Sequence, residues 1–140
     1  MSAVLLDTHA WIWSLLDSMR LGDSVKSAIV EADSVHVSPI SIYEVVGKAR
    51  LGKWPEIAPH VGALVAERQT LSAPFTRAIA ARAGILDWPH RDPFDRLIAA
   101  TAIELGYPLV SKDAEFDALD GVRGWQGRIW SWPAGNVLEV

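Results

Sequence analysis

Apolar and polar positions follow two different periods along this chain, and the changes of period mark its elements. Val4-Leu5-Leu6 is a continuous apolar run suited to a short buried strand, and it ends on Asp7. Trp11, Ile12 and Leu15 then recur at helical spacing, which predicts a helix over 8–16 opened by Asp7 or Thr8. A second helix is predicted over 24–32, and Ser34 to Val37 alternates as a strand does. Ser38-Pro39 reads as an N-cap followed by proline at the first helical position. It starts a helix that runs toward Leu51 and stops at Gly52. A helix over 55–67, a strand over 71–75 and a helix from Thr76 to near Gly84 follow. Asp92-Pro93 repeats the cap-and-proline signature and opens a strongly apolar helix, Phe94 to Leu105, closed by Gly106. Strands are predicted over 108–111 and 127–130, with a helical turn over 114–119 between them. Strands alternating with helices imply a parallel sheet with right-handed crossovers and helices on both faces.

At 140 residues, half of them hydrophobic, the chain reads as one domain over 1–140 with enough apolar surface for a real core. There is no cysteine, which excludes disulfides, thiolate catalysis and zinc-thiolate sites and fits a reducing cytoplasm. The N-terminus lacks a basic start and no apolar run approaches membrane-spanning length, so the expectation is a soluble cytoplasmic protein. A formal net charge of −4 argues against a generally basic nucleic-acid surface. Any such binding falls to local patches: Lys48, Arg50 and Lys53 at one helix end, and His90, Arg91 and Arg96 around Asp95. The same residues also suit solvated helix ends.

Four acids, Asp7, Glu44, Asp95 and Asp113, each sit where an apolar stretch ends or a helix begins. In a parallel sheet the carboxyl ends of the strands open on one edge, so carboxylates after 4–6 and after 109–112 can meet there. Crowded carboxylates repel and take up protons unless a cation neutralises them. Oxygen-only ligands favour Mg²⁺ or Mn²⁺ over zinc. Each acid also has an ordinary reading. Asp7 can cap the first helix, and Glu44 can pair with Ser41 in a capping box or with Lys48 at i,i+4. Asp92 fits an N-cap, Asp95 complements the helix dipole and Asp113 can cap the turn at Ala114. The four histidines show no metal-ligand spacing and no Ser-His-Asp grouping stands out. Of the seven tryptophans, most suit packing, while Trp54 and Trp88, flanked by proline and basic residues, are the candidates for base stacking.

The chain resembles the PIN-domain ribonucleases, in particular the VapC-like toxins of toxin-antitoxin modules. The resemblance rests on Leu5-Leu6-Asp7-Thr8-His9, on Ser38-Pro39-Ile40-Ser41-Ile42-Tyr43-Glu44 with Lys48 and Gly52 following, on Asp92-Pro93-Phe94-Asp95-Arg96-Leu97-Ile98-Ala99-Ala100, and on Leu109-Val110-Ser111-Lys112-Asp113, in that order and spacing. It implies a three-layer α/β PIN-like fold with a central parallel sheet flanked by helices, metal-dependent cleavage of RNA, a homodimer, and an antitoxin whose tail covers the acidic pocket. It carries the family's four acids onto Asp7, Glu44, Asp95 and Asp113. Asp7, Asp95 and Asp113 are then expected to hold the metal, with Glu44 orienting or deprotonating the attacking water. Thr8, Ser111, Asp92 and Asp117 are the outer partners of that set. Ser111 stands where the family often has threonine, and Asp117, one turn beyond Asp113, either reaches the metal or faces water. Lys48, Arg91, Arg96 and Lys112 are the expected phosphate contacts, and Trp11, Trp13 and Trp54 a candidate wall for the antitoxin tail. Two other classes fit part of the pattern: a receiver-like phosphoacceptor using an aspartate and Lys112, and a catalytically inactive PIN-like binding module.

Overall fold

The computed structural model describes residues 2–135; the ends of the 1–140 domain expected from sequence lie outside the described residues. Five parallel strands form one sheet in the order β3-β2-β1-β4-β5, comprising β1 (Ala3–Leu6), β2 (Ser34–Val37), β3 (Leu71–Ser72), β4 (Leu109–Val110) and β5 (Arg128–Ile129). Among the described residues six α-helices accompany them: α1 (Thr8–Leu16), α2 (Asp23–Glu31), α3 (Pro39–Arg50), α4 (Val61–Ala66), α5 (Arg77–Ile85) and α6 (Pro93–Leu105). β1 is the centre of the sheet. Leu6 lies beside Val37 of β2 and beside Val110 of β4, so the chain departs from three adjacent strands at one level.

The alternation of side chains along β1 divides the core into two layers. Val4 and Leu6 pack with Val37 and Val110 against Trp11 and Ile12 of α1, Val25 of α2, Val45 of α3 and Leu64 of α4. Leu5 points the other way and packs with Leu109 against Ile98, Ala99, Ala102 and Ile103 of α6 and against Phe116 and Leu119. Both faces of the sheet are thereby covered, which is why the central strands β1 and β4 read as unbroken apolar runs. This is the three-layer α/β architecture expected from the sequence. The strand order differs from the 2-1-3-4-5 order of receiver-type folds, so the phosphoacceptor alternative loses its scaffold.

Two expected elements are altered by proline. Residues 55–67 form no single helix: a 3-10 turn over Ala58–His60 precedes a short α4, because Pro59 removes a helical donor. β3 spans only Leu71–Ser72, although the Ala73 N–H still donates to the Val37 carbonyl (2.8 Å); Pro74 then has no donor to continue the ladder. At Asp92-Pro93 proline has the opposite effect and starts α6, whose other end is closed by Gly106 in the left-handed conformation (φ 69°). Among the described residues no helix is long and apolar enough to cross a membrane.

Candidate active site

Asp7 follows β1 directly, and Asp113 follows β4 after Ser111 and Lys112, so both leave the carboxyl edge of the sheet side by side. α3 starts from the end of β2 and carries Glu44 on its second turn, while α6 carries Asp95 in its first. These four acids, with Thr8, His9, Lys48, Asp92 and Lys112, line one cleft of about 160 Å³. The expectation from strand ends and helix starts is met: four carboxylates separated by more than a hundred positions share one opening.

Each carboxylate is held by neighbours that its local element supplies. The Asp7 side chain caps α1, accepting from the Ala10 N–H (2.9 Å), and Asp113 caps the 114–119 turn, accepting from the Glu115 N–H (2.9 Å). Asp92 caps α6 by accepting from the Phe94 and Asp95 N–H groups (2.8 and 3.3 Å). Glu44 is buried and pinned on both oxygens: Oε1 accepts from the Thr8 hydroxyl (2.7 Å) and Oε2 from the Lys48 ammonium (2.5 Å). Lys48 in turn lies over the rings of Trp54 (4.8 Å) and Phe94 (5.4 Å). The capping and site readings of Asp7, Asp92 and Asp113 are compatible, since each cap is made through one oxygen of the carboxylate.

The electrostatics of the cleft favour protons or a cation. Burial pushes the Asp7 carboxyl up to about 7; hydrogen bonds from Ser111 and the Ala10 N–H pull down, and the charges of Asp95 and Asp113 push up further. Burial likewise raises Asp95 to about 6, opposed by a hydrogen bond from His90 and aided by the charge of Asp92. The ring of His90 sits between Asp95, through Nε2 at 2.7 Å, and Glu115, through Nδ1. Burial works against its charge, but Asp95, Glu115 and Asp113 raise its pKa on balance. One donor atom each from His90, Asp95 and Asp113 lies within 4.8 Å of the others. A donor set of carboxylates with one imidazole, including an acid that burial raises to about 7, fits a divalent cation.

Several expected residues lie elsewhere. Arg96, expected as a phosphate contact, is engaged by the backbone: its guanidinium donates to the carbonyls of Ala83 (3.0 Å), Leu86 (2.7 Å), Trp88 (2.7 Å) and His90 (2.9 Å), tying down the turn before α6. Asp117 faces away from the cleft and takes Arg128 on both oxygens (2.9 and 2.8 Å). Trp88 is buried against Phe116 and His90, so it offers no face to RNA. Trp11 is buried in the core and lines a different cavity, with Leu64 and Leu71, whereas Trp13 and Trp54 line a cavity of about 380 Å³ that shares His9 with the acidic cleft. Lys112 is exposed and lines the cleft, and Arg91, the residue before Asp92, is exposed. His90 and His9 are the residues that sequence reasoning passed over; His90, two positions before the Asp92 cap, was visible only as part of a basic patch.

Residues 4–122 match the PIN domain family. The chain belongs to that family. It is 38% identical over 117 residues to Ribonuclease VapC22 of Mycobacterium tuberculosis, across 81% of this chain and 88% of that protein. Its fold is similar to VapBC-5 of the VapBC toxin-antitoxin family from Mycobacterium tuberculosis, with a TM-score of 0.64 at 20% identity over 92% of this chain and 100% of that one. It is equally similar to VapBC2 of Rickettsia felis bound to a promoter DNA fragment, with a TM-score of 0.64 at 15% identity over 92% and 99% of the two chains.

Proposed function

We propose that this PIN-domain protein is a metal-dependent endoribonuclease and the toxin of a toxin-antitoxin pair acting in the cytoplasm. The observation that carries the reading is the convergence of Asp7, Glu44, Asp95 and Asp113 on one small cleft at the carboxyl edge of β1 and β4. The 38% identity to a ribonuclease supports the substrate class, and the fold shared with toxin-antitoxin complexes supports the partner.

Asp7, Asp95 and Asp113 would hold Mg²⁺ or Mn²⁺. When bound, the ion lowers the pKa of water and offsets charge growing on the phosphate. Glu44 orients the attacking water and takes its proton, on a carboxylate whose rotamer Thr8 and Lys48 fix from either side. The water oxygen bonds to phosphorus as one bridging P–O bond breaks, and the leaving oxygen is protonated from solvent. Ser111 steadies Asp7 through its hydroxyl, which also accepts from the Asp113 N–H (3.0 Å) and so ties two of the acids to one group. Lys112 and Arg91 meet the phosphates flanking the break.

The antitoxin tail enters by the Trp13–Trp54 cavity and reaches the acids past His9. An arginine there forks onto two carboxylates and excludes the metal. A second copy packs on α3, where Tyr43 (69% exposed), Val46 (40%) and Leu51 (58%) form an apolar surface. Expression of the protein alone is expected to arrest growth, and the adjacent gene's product to relieve it. Harmless expression of a protein that cleaves RNA when purified would replace the toxin role with RNA processing.

A further inference from the structure

The acidic cleft, at about 160 Å³, takes a phosphate and its reacting groups but leaves the attached nucleosides outside. Three larger cavities adjoin it. One, about 710 Å³, shares Glu44 and Lys48 with the cleft and is the apolar surface along α3 assigned above to the second copy. The Trp13–Trp54 cavity shares His9 with the cleft and carries Asp17 and Glu56 against Arg20, which is itself paired with Asp17 (2.9 Å). Its acids outnumber its fixed cations, so it is the poorer seat for a phosphodiester. The third cavity, about 620 Å³, shares Lys112 and Asp113 with the cleft and continues to Arg128, Trp130 and Trp132; Arg128 is held by Asp117, so Lys112 is the cation that serves both cavities.

We propose that the groove between Lys112 and Trp132 is a nucleobase subsite, in which a base next to the scissile phosphate stacks on Trp132 while Lys112 holds the connecting phosphate. The proposal rests on the ribonuclease reading above. Trp132 stands edge-on to Trp130 (5.2 Å, 82°), and Trp130 packs in turn against Trp13 of α1 (6.0 Å) and the core. The two rings are held by the residue between them. The Ser131 carbonyl accepts from the Gly22 N–H (3.1 Å), and its hydroxyl meets the Ser24 hydroxyl (2.6 Å). Gly22 is required for that approach, since a Cβ there would lie 2.5 Å from the Ser131 carbonyl oxygen. A preorganised indole beside a lysine is the arrangement by which proteins hold single-stranded nucleic acid, with stacking tolerant of base identity and the cation on the backbone.

The test is a cycle between protein and substrate, using the full chain with Mg²⁺ or Mn²⁺ and a short single-stranded RNA carrying its cleavage site. An abasic ribose is placed in turn at each position flanking the scissile phosphate. In the wild-type protein one flanking abasic site should raise KM about tenfold to a hundredfold with kcat little changed. Trp132→Ala should show that same loss on intact RNA, and the abasic site should then add nothing; Trp132→Phe should retain most of the affinity. A wild-type enzyme indifferent to every flanking abasic site overturns the subsite however the variants fold. So does a Trp132→Ala protein with unchanged KM on intact RNA, and if that variant has lost rescue by the antitoxin the groove belongs to the antitoxin instead. A wild-type protein that cleaves no RNA removes the ribonuclease reading and the subsite with it.

Discussion

Replacing Asp7 with asparagine should stabilise the metal-free protein at alkaline pH while removing its response to metal. The Asp7 carboxyl titrates at about 7 in the folded chain, against about 3.9 in an unfolded one. The folded state therefore keeps the proton to higher pH, and the stability linked to it is fully present below about pH 4 and lost as pH rises to about 7. Three units at about 1.4 kcal/mol each make the full difference on the order of 4 kcal/mol at pH 8. Asparagine still offers an oxygen to the Ala10 N–H, so the α1 cap survives the change. Asp95 and His90, both raised, leave a smaller fall of the same sign in the variant. Urea unfolding followed by tryptophan fluorescence, with chelator, from pH 5 to 8 reads this directly. Wild type should lose stability across the range, Asp7→Asn should lose much less, and the two curves should cross. Millimolar Mg²⁺ should restore the wild type by about 2.7 kcal/mol if present at a hundred times its dissociation constant, and restore the variant less. Parallel pH curves, or equal gains with metal, would refute the placement of an uncompensated buried carboxyl at the centre of the site.

The Arg96 guanidinium serves the fold, so Arg96→Ala should cost on the order of 3 kcal/mol by urea midpoint, because four carbonyls lose a charged donor. Unchanged stability with weakened, more salt-sensitive RNA binding would make it a phosphate contact after all. Asp92→Ala should cost about 1 kcal/mol and Asp92→Ser much less, with the melting-temperature gain from Mg²⁺ retained in both. If Asp92→Ser abolished that gain at preserved stability, Asp92 would be a metal ligand.

Where local chemistry decides structure, the sequence was readable. Ser38-Pro39 and Asp92-Pro93 start α3 and α6 at the expected residues, and the apolar run ending at Asp7 is the central strand. The cleft followed from that reading, because parallel strands put their ends on one edge. The misses come from contacts between distant segments. Arg96 looked like a surface cation because nothing in its neighbourhood reveals that the irregular stretch over 86–90 leaves carbonyls without ladder partners. Trp88 and Trp54 have similar flanks, yet one lies against Phe116 under the sheet and the other beside the cleft. His90 becomes part of the acidic cluster only through the tertiary approach of Asp95 and Glu115.

The central claim is that these four acids form one metal-dependent ribonuclease site. It is tested most directly by incubating labelled single-stranded RNA with the purified protein in Mg²⁺ or Mn²⁺, then with chelator, alongside Asp7→Asn, Glu44→Gln and Asp95→Asn variants shown to be folded. The account predicts cleavage that needs the metal and that each substitution largely abolishes. Cleavage undiminished by chelator, or full activity in any of the three variants, would contradict it.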